Sequence, residues 1–135
     1  MIFEPLSDVW KKVMKLPKEE QVIDLLLRLG ATPNYTGFSY LVKAILLCIE
    51  EESRLLSITK ILYPETAKYF SVSPFTVERD IRTLINVMWK QNRILLDKIA
   101  GYKLSRKPTV GQFLSIISFY ISFHQQNMSE ISIFS

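Results

Sequence analysis

The stretch Ser57 to Trp89, SITKILYPETAKYFSVSPFTVERDIRTLINVMW, is punctuated by two prolines and a serine-rich break, which limits it to two helices joined by a turn. Pro64 suits the first position of a helix, where a missing N–H leaves no bond unmade, and Glu65 beside it favours the positive end of the helix dipole. A short helix from about Tyr63 to Phe70 is expected. Ser71-Val72-Ser73 interrupts the pattern, with Ser73 a good N-cap and Pro74 again suited to a first helical position. A second helix is expected over 74–91. Along it Val77, Ile81, Leu84, Ile85 and Met88 recur at helical spacing and form one stripe that must face a core. Phe75, Thr76, Arg79, Arg82, Thr83, Asn86, Lys90 and Arg93 fall on the far side, with Glu78 and Asp80 on the flanks. This is the sequence form of a helix-turn-helix over about 63–91.

Such a second helix suits the major groove of DNA, presenting base-reading side chains near its N-terminus and cations to phosphates further along. Arg79 sits opposite the centre of the apolar stripe, where a guanidinium can donate two hydrogen bonds to the O6 and N7 of guanine. Arg82 lies one turn later, and Glu78 can accept from a cytosine amino group. Ser73, Lys90 and Arg93 suit phosphates, contacts that position a helix without reading sequence. Most surface helices also carry a charged outer face, so a merely solvated one is the competing reading. Asp80, which would lie near phosphates, favours that competitor.

The chain resembles the C-terminal DNA-binding effector domain of the sporulation master response regulator of endospore-forming bacteria. The residues that carry the resemblance run from about Leu29 to Phe123: Leu29-Gly30, Gly37-Phe38-Ser39-Tyr40-Leu41, Ser57-Ile58-Thr59-Lys60, Leu62-Tyr63-Pro64, Ala67-Lys68, Val77-Glu78-Arg79, Ile81-Arg82, Trp89, Gly101-Tyr102 and Lys107-Pro108-Thr109. The resemblance implies that the helix beginning after Ser73 is the recognition helix, and that Glu78, Arg79 and Arg82 read a short box in the major groove. The family usually has an arginine where this chain has Thr76 and a histidine where it has Thr83. These two threonines are carried as base contacts of changed chemistry, so the preferred site is expected to differ. Asp80, where a small residue is usual, points the same way.

Members of that family resemble two-domain regulators, in which a receiver domain of roughly 120 residues is phosphorylated on an aspartate and drives dimerisation. Only about 28 residues precede the resemblance, too few for a receiver. The expectation is a separately encoded effector-like protein or an excised domain, with Met1 and the non-tag opening favouring the first. Control would then come from abundance, oligomerisation or a partner.

At 135 residues and 48% hydrophobic, the chain is long enough for one substantial core and cramped for two. The expected fold is all-α, a compact domain of about six to seven helices. It divides into an N-terminal extension with a first helix (1–28), the helix-turn-helix effector domain (29–125) and a tail (126–135). Charge is uneven: residues 1–52 hold six Lys/Arg against eight Asp/Glu, and residues 53–135 eleven against five. The basic part thus contains the proposed reader, as an electrostatic footprint for a polyanion requires. The single cysteine, Cys48, excludes an internal disulfide, fits a reducing compartment and falls in an apolar run that suggests burial. No signal peptide opens the chain, because Glu4 and Asp8 precede the basic residues and no apolar stretch follows. A cytoplasmic location is expected.

Leu6 to Leu16 reads as a short basic amphipathic helix, a scaffold piece or a surface for a partner or membrane, ended by Pro17. Helices follow over Lys18–Leu29, closed by Gly30, and from about Thr36 to Ser53, ending in Glu50-Glu51-Glu52 against the dipole. The long helix should fray near Gln91-Asn92, before a helix around Leu95 to Ala100. The loop 101–108 carries Lys103, Arg106 and Lys107 and no acid, which makes these three candidates for phosphate contacts. Thr109 caps a last helix to about Gln125 that is apolar almost all round and too short and serine-rich for a membrane span. Phe113, Ile117, Tyr120 and Ile121 are its expected dimer contacts, for a homodimer through 109–125, as the resemblance also implies.

His124 is the only histidine and is expected on the surface near a helix C-terminus, where the dipole favours it. A multi-histidine metal site is thereby excluded, and a histidine triad lacks an identifiable nucleophile. The four scattered glycines form no phosphate-cradling pattern. No enzyme activity, cofactor, metal, small-molecule substrate or membrane partner is expected; double-stranded DNA is. The alternative is a receiver-less interaction module that modulates a full-length regulator through the last helix, a reading made credible by Thr76, Asp80 and Thr83.

Overall fold

The second helix, Gly37–Glu50, begins at a glycine because there is no room for anything else. A Cβ at Gly37 would lie 2.5 Å from the backbone carbonyl oxygen of Asp80 and 2.7 Å from its carbon. The computed structural model describes residues 12–13 and 16–134, with side chains as far as His124. Among the described residues the fold is all-α, with six α-helices and no strand: α1 Lys18–Leu29, α2 Gly37–Glu50, α3 Tyr63–Phe70, α4 Pro74–Gln91, α5 Arg93–Ala100 and α6 Val110–Phe134. The amphipathic segment expected at 6–16 lies, but for a few residues, outside the described ones.

Helix α2 is the hub. It packs against α1, α3, α4 and α6, and its residues Leu41, Ala44 and Ile45 are fully buried. Gly30 ends α1 in the left-handed region at φ 107°, and its amide and that of Ala31 return to the carbonyls of Leu27 and Leu26. The same glycine lets the turn close on α4, since a Cβ there would meet Gln91 Cβ at 2.6 Å.

Helix α2 stops at Glu50, earlier than the expected Ser53, and a 3₁₀ turn over Glu52–Leu56 takes its place. Arg54 explains the stop: its guanidinium donates to the Leu47 carbonyl at 2.7 Å and pairs with Glu65 of α3 at 3.1 Å, so one side chain caps α2 and ties it to α3. A π turn at Ile58–Leu62 then runs straight into α3. The first helix of the motif therefore starts about one turn before Tyr63. Pro64 has no N–H for the helical ladder, and the wider turn ahead of it accommodates the gap.

Asn92 separates α4 from α5, which opens at Arg93 and so before the expected Leu95. Its Oδ1 accepts from the Leu95 amide at 3.2 Å, and its Nδ2 donates to the Arg28 carbonyl at 2.9 Å, so the cap also staples α5 to the end of α1. Thr109 and Gln112 form a reciprocal capping box at the start of α6, with bonds of 2.9 and 3.2 Å.

Helix α6 corrects three expectations. It does not end near Gln125 but continues to Phe134. His124 is consequently not near a C-terminus; it is half-buried, with Nδ1 3.0 Å from the Tyr120 carbonyl and its ring 4.1 Å from that of Tyr120. The assigned dimer contacts face inward: Phe113, Ile117 and Ile121 are fully buried and Tyr120 nearly so. With apolar residues on every side, composition alone could not say which face turns in. Among the side chains of α6 described, the exposed large apolar ones are Phe119 and Phe123, stacked with centroids 5.5 Å apart.

Cys48 is buried on α2 beside a groove of about 530 Å³ between α2, α5 and α6. Burial pushes its thiol up to about 11, with Arg54 pulling the other way and Glu65 adding to the rise. Thiolate is the reacting form, so a thiol reagent at pH 8 is expected to modify the folded protein at least about tenfold more slowly than the urea-unfolded chain. Gly37→Ala is expected to cost about 1–3 kcal/mol in urea unfolding, because a backbone carbonyl cannot move aside as a side-chain tip can.

Candidate nucleic-acid interface

The turn between α3 and α4 is built from its serines. Ser71 ends α3 at φ 57° and ψ 43°, with the Val72 amide returning to the Ala67 carbonyl at 3.0 Å. Ser73 then caps α4, its Oγ accepting from the Thr76 amide at 3.1 Å. Pro74 follows with no amide to satisfy, as expected from sequence. The result is a three-residue corner joining an eight-residue helix to an eighteen-residue one.

One face of α4 is buried completely: Val77, Ile81, Leu84 and Met88 have no exposure and Ile85 has 1%. The opposite face is open. The side chains of Arg79 and Arg82 are each 59% exposed, in the positions the stripe predicts. Neither is bare: Arg79 Nε lies 3.1 Å from Asp80 Oδ1, and Arg82 pairs with Glu78 one turn back. Such exposed pairs are weak, about 0–1 kcal/mol, so a phosphate or a guanine edge can displace the carboxylate.

Asp80 lies on the flank of α4 that meets α2. Its side chain is only 16% exposed, and its Cβ lies against Gly37 at the start of α2, off the outer face of α4. A carboxylate near a helix N-terminus is favoured by the dipole.

Two threonines assigned to bases have hydroxyls bonded within the motif. Thr76 Oγ1 lies 2.9 Å from Ser73 Oγ, and Thr83 Oγ1 donates to the Arg79 carbonyl at 3.1 Å. Each keeps lone pairs for accepting, and Thr83 is exposed while Thr76 is half-buried. Ser73 and Lys90 are both exposed, at opposite ends of α4.

Arg93 also holds the basic loop. Its guanidinium stacks 4.1 Å over the Trp89 ring and donates to the Leu104 carbonyl at 2.7 Å, while Asp97 accepts from the Leu104 amide at 3.0 Å. Arg93, the first residue of α5, and Asp97 thus pin the buried Leu104, and with it the basic loop, while Arg93 stays exposed. Of the loop cations, Lys107 donates to Asn86 on α4, and Lys103 and Arg106 are exposed. Lys107 shares with Arg82 a groove of about 480 Å³ whose other walls include Thr59, Tyr63 and Thr109. Burial, with Glu78 adding and Arg82 opposing, pushes the Tyr63 hydroxyl up to about 12, so this wall stays neutral.

Sequence reasoning gave no role to Asn86, to Thr59 or to the aromatic at Phe75. Asn86 and Phe75 were visible on the outward face of the long helix, and Thr59 among the residues of the resemblance.

A rigid helical corner holding an exposed, arginine-bearing second helix, with a basic loop tethered beside it, defines a helix-turn-helix domain of the DNA-binding kind. The chain belongs to the family described as "Sporulation initiation factor Spo0A C terminal", whose model matches residues 22–121. That family is a DNA-binding regulatory domain, the effector part of a sporulation response regulator. The match starts inside α1 and takes in α4, the basic loop and the inward-facing part of α6. No helix among the described residues is long and apolar enough to cross a membrane.

Removing the cap hydroxyl with Ser73→Ala is expected to lower stability by about 1 kcal/mol and to speed amide exchange at residues 74–77.

Proposed function

We propose that this chain is a sequence-specific transcriptional regulator that reads double-stranded DNA in the major groove with α4. The observation that supports it is the exposure of Arg79 and Arg82 opposite a fully buried stripe. In this reading Glu78, Arg79 and Arg82 read bases, with Thr76 and Thr83 as weaker acceptors. Ser73, Lys90, Arg93, Lys103, Arg106 and Lys107 meet phosphates. The domain works without catalysis, cofactor, metal or small-molecule substrate, in the cytoplasm. Each bound half-site is contacted by one copy of a homodimer assembled along α6 through Phe119 and Phe123, an exposed and stacked apolar pair on that helix.

That same pair favours a second reading, in which α6 docks on a full-length regulator and DNA binding is secondary. Selection from random duplexes separates the two. The DNA reading expects one enriched site at moderate salt. The interaction reading expects none, together with altered DNA binding by a regulator mixed with this protein.

On the enriched site, Arg79→Ala is expected to cost about 1–3 kcal/mol and to relax preference at one base pair. Lys107→Ala is expected to weaken all duplexes alike and to lower the slope of log affinity against log salt by about one. A Lys107 variant that changed base preference would move that residue out of the phosphate group.

A further inference from the structure

Phe75 is the most exposed large apolar side chain of the helix-turn-helix among the described residues. It is 70% exposed on the first turn of α4, although an aromatic ring gains most from burial. Its position is that of a reader, since the first residues of a recognition helix are those that approach base edges. Phe75, Arg79 and Arg82 follow one another at spacings of four and three, and so share a helical face. The Arg79 guanidinium lies 6.0 Å from the centre of the Phe75 ring, at the edge of cation–π range. The ring therefore flanks the group assigned to guanine. It is also a solvent-exposed apolar surface on a face otherwise made of charged and polar groups.

The major groove offers one apolar group to such a surface, the C5-methyl of thymine. We propose that Phe75 is a specificity-determining residue that reads a thymine methyl beside the guanine contacted by Arg79. The inference rests on the DNA-reading role of α4 and adds a second base pair to what that helix recognises. Four residues at a rise of about 1.5 Å separate Phe75 from Arg79 by about 6 Å along the axis. With base pairs about 3.4 Å apart, the thymine falls one or two base pairs from the guanine.

Replacing thymine by deoxyuridine removes the methyl and nothing else, so the duplex itself supplies the test. Starting from the duplex enriched by the wild-type protein, each thymine within two base pairs of the Arg79-dependent guanine is exchanged in turn. One exchange is expected to weaken the wild type about three- to fivefold, the effect of losing one buried carbon. Phe75→Ala should bind the thymine duplex that much more weakly and lose the difference between the two duplexes, while Phe75→Leu should retain part of it. Circular dichroism should show all three proteins equally folded, because the ring is exposed. If the wild type binds one specific duplex but tolerates every exchange, or if Phe75→Ala discriminates as the wild type does, the assignment is overturned and base reading by Arg79 stands. If no duplex is enriched at all, the DNA reading fails first and takes the assignment with it.

Discussion

Everything at the proposed interface depends on how α4 is held. Its five-residue apolar stripe is buried without remainder, and at about 25 cal/mol per Å² such burial outweighs any of the exposed ion pairs on the other side. Burial alone would still allow the helix to slide along its axis. Gly37 prevents this: the start of α2 touches the Asp80 backbone so closely that one carbon more would collide, which fixes α4 lengthwise as well as in rotation. The arginines are exposed because their neighbours on the helix are not.

Around that fixed helix, single polar side chains make the joints. Arg54 closes α2 and reaches α3, Asn92 caps α5 and reaches α1, and Arg93 with Asp97 holds the basic loop through the two backbone groups of Leu104. Lys107 completes the last joint by reaching Asn86, so the loop and α4 present cations side by side. The outer surface combines this rigid placement with weak local pairing. Arg79 and Arg82 rest against Asp80 and Glu78, which orient the guanidinium groups without burying them.

The legible part of the chain was the part governed by local rules. Ser73 and Pro74 mark a helix start whatever surrounds them, and a stripe at helical spacing has only one way to face a core; both appear where the residues put them. The illegible part was decided at a distance. Arg93 holds Leu104 from eleven residues away, and Lys107 meets Asn86 across twenty-one. In α6 the periodic signal itself was missing, because apolar residues surround the helix. Phe113 and Phe119 look alike in sequence, and only packing makes one core and the other surface. Asp80 shows the same limit: on a helical wheel it borders the outer face, and the glycine its backbone packs against is forty-three positions earlier.

The central claim is that the outer face of α4, with the basic loop beside it, meets the duplex while the inner face of the helix stays packed. Arginine side-chain N–H resonances and methyl resonances, followed by NMR during titration with an enriched duplex, report on both faces at once. The account expects the Nε–H signals of Arg79 and Arg82 to shift strongly and the methyls of Val77, Ile81, Leu84 and Ile85 to hold their positions. Unchanged arginine signals in a saturated complex, or shifts concentrated on α6, would contradict it.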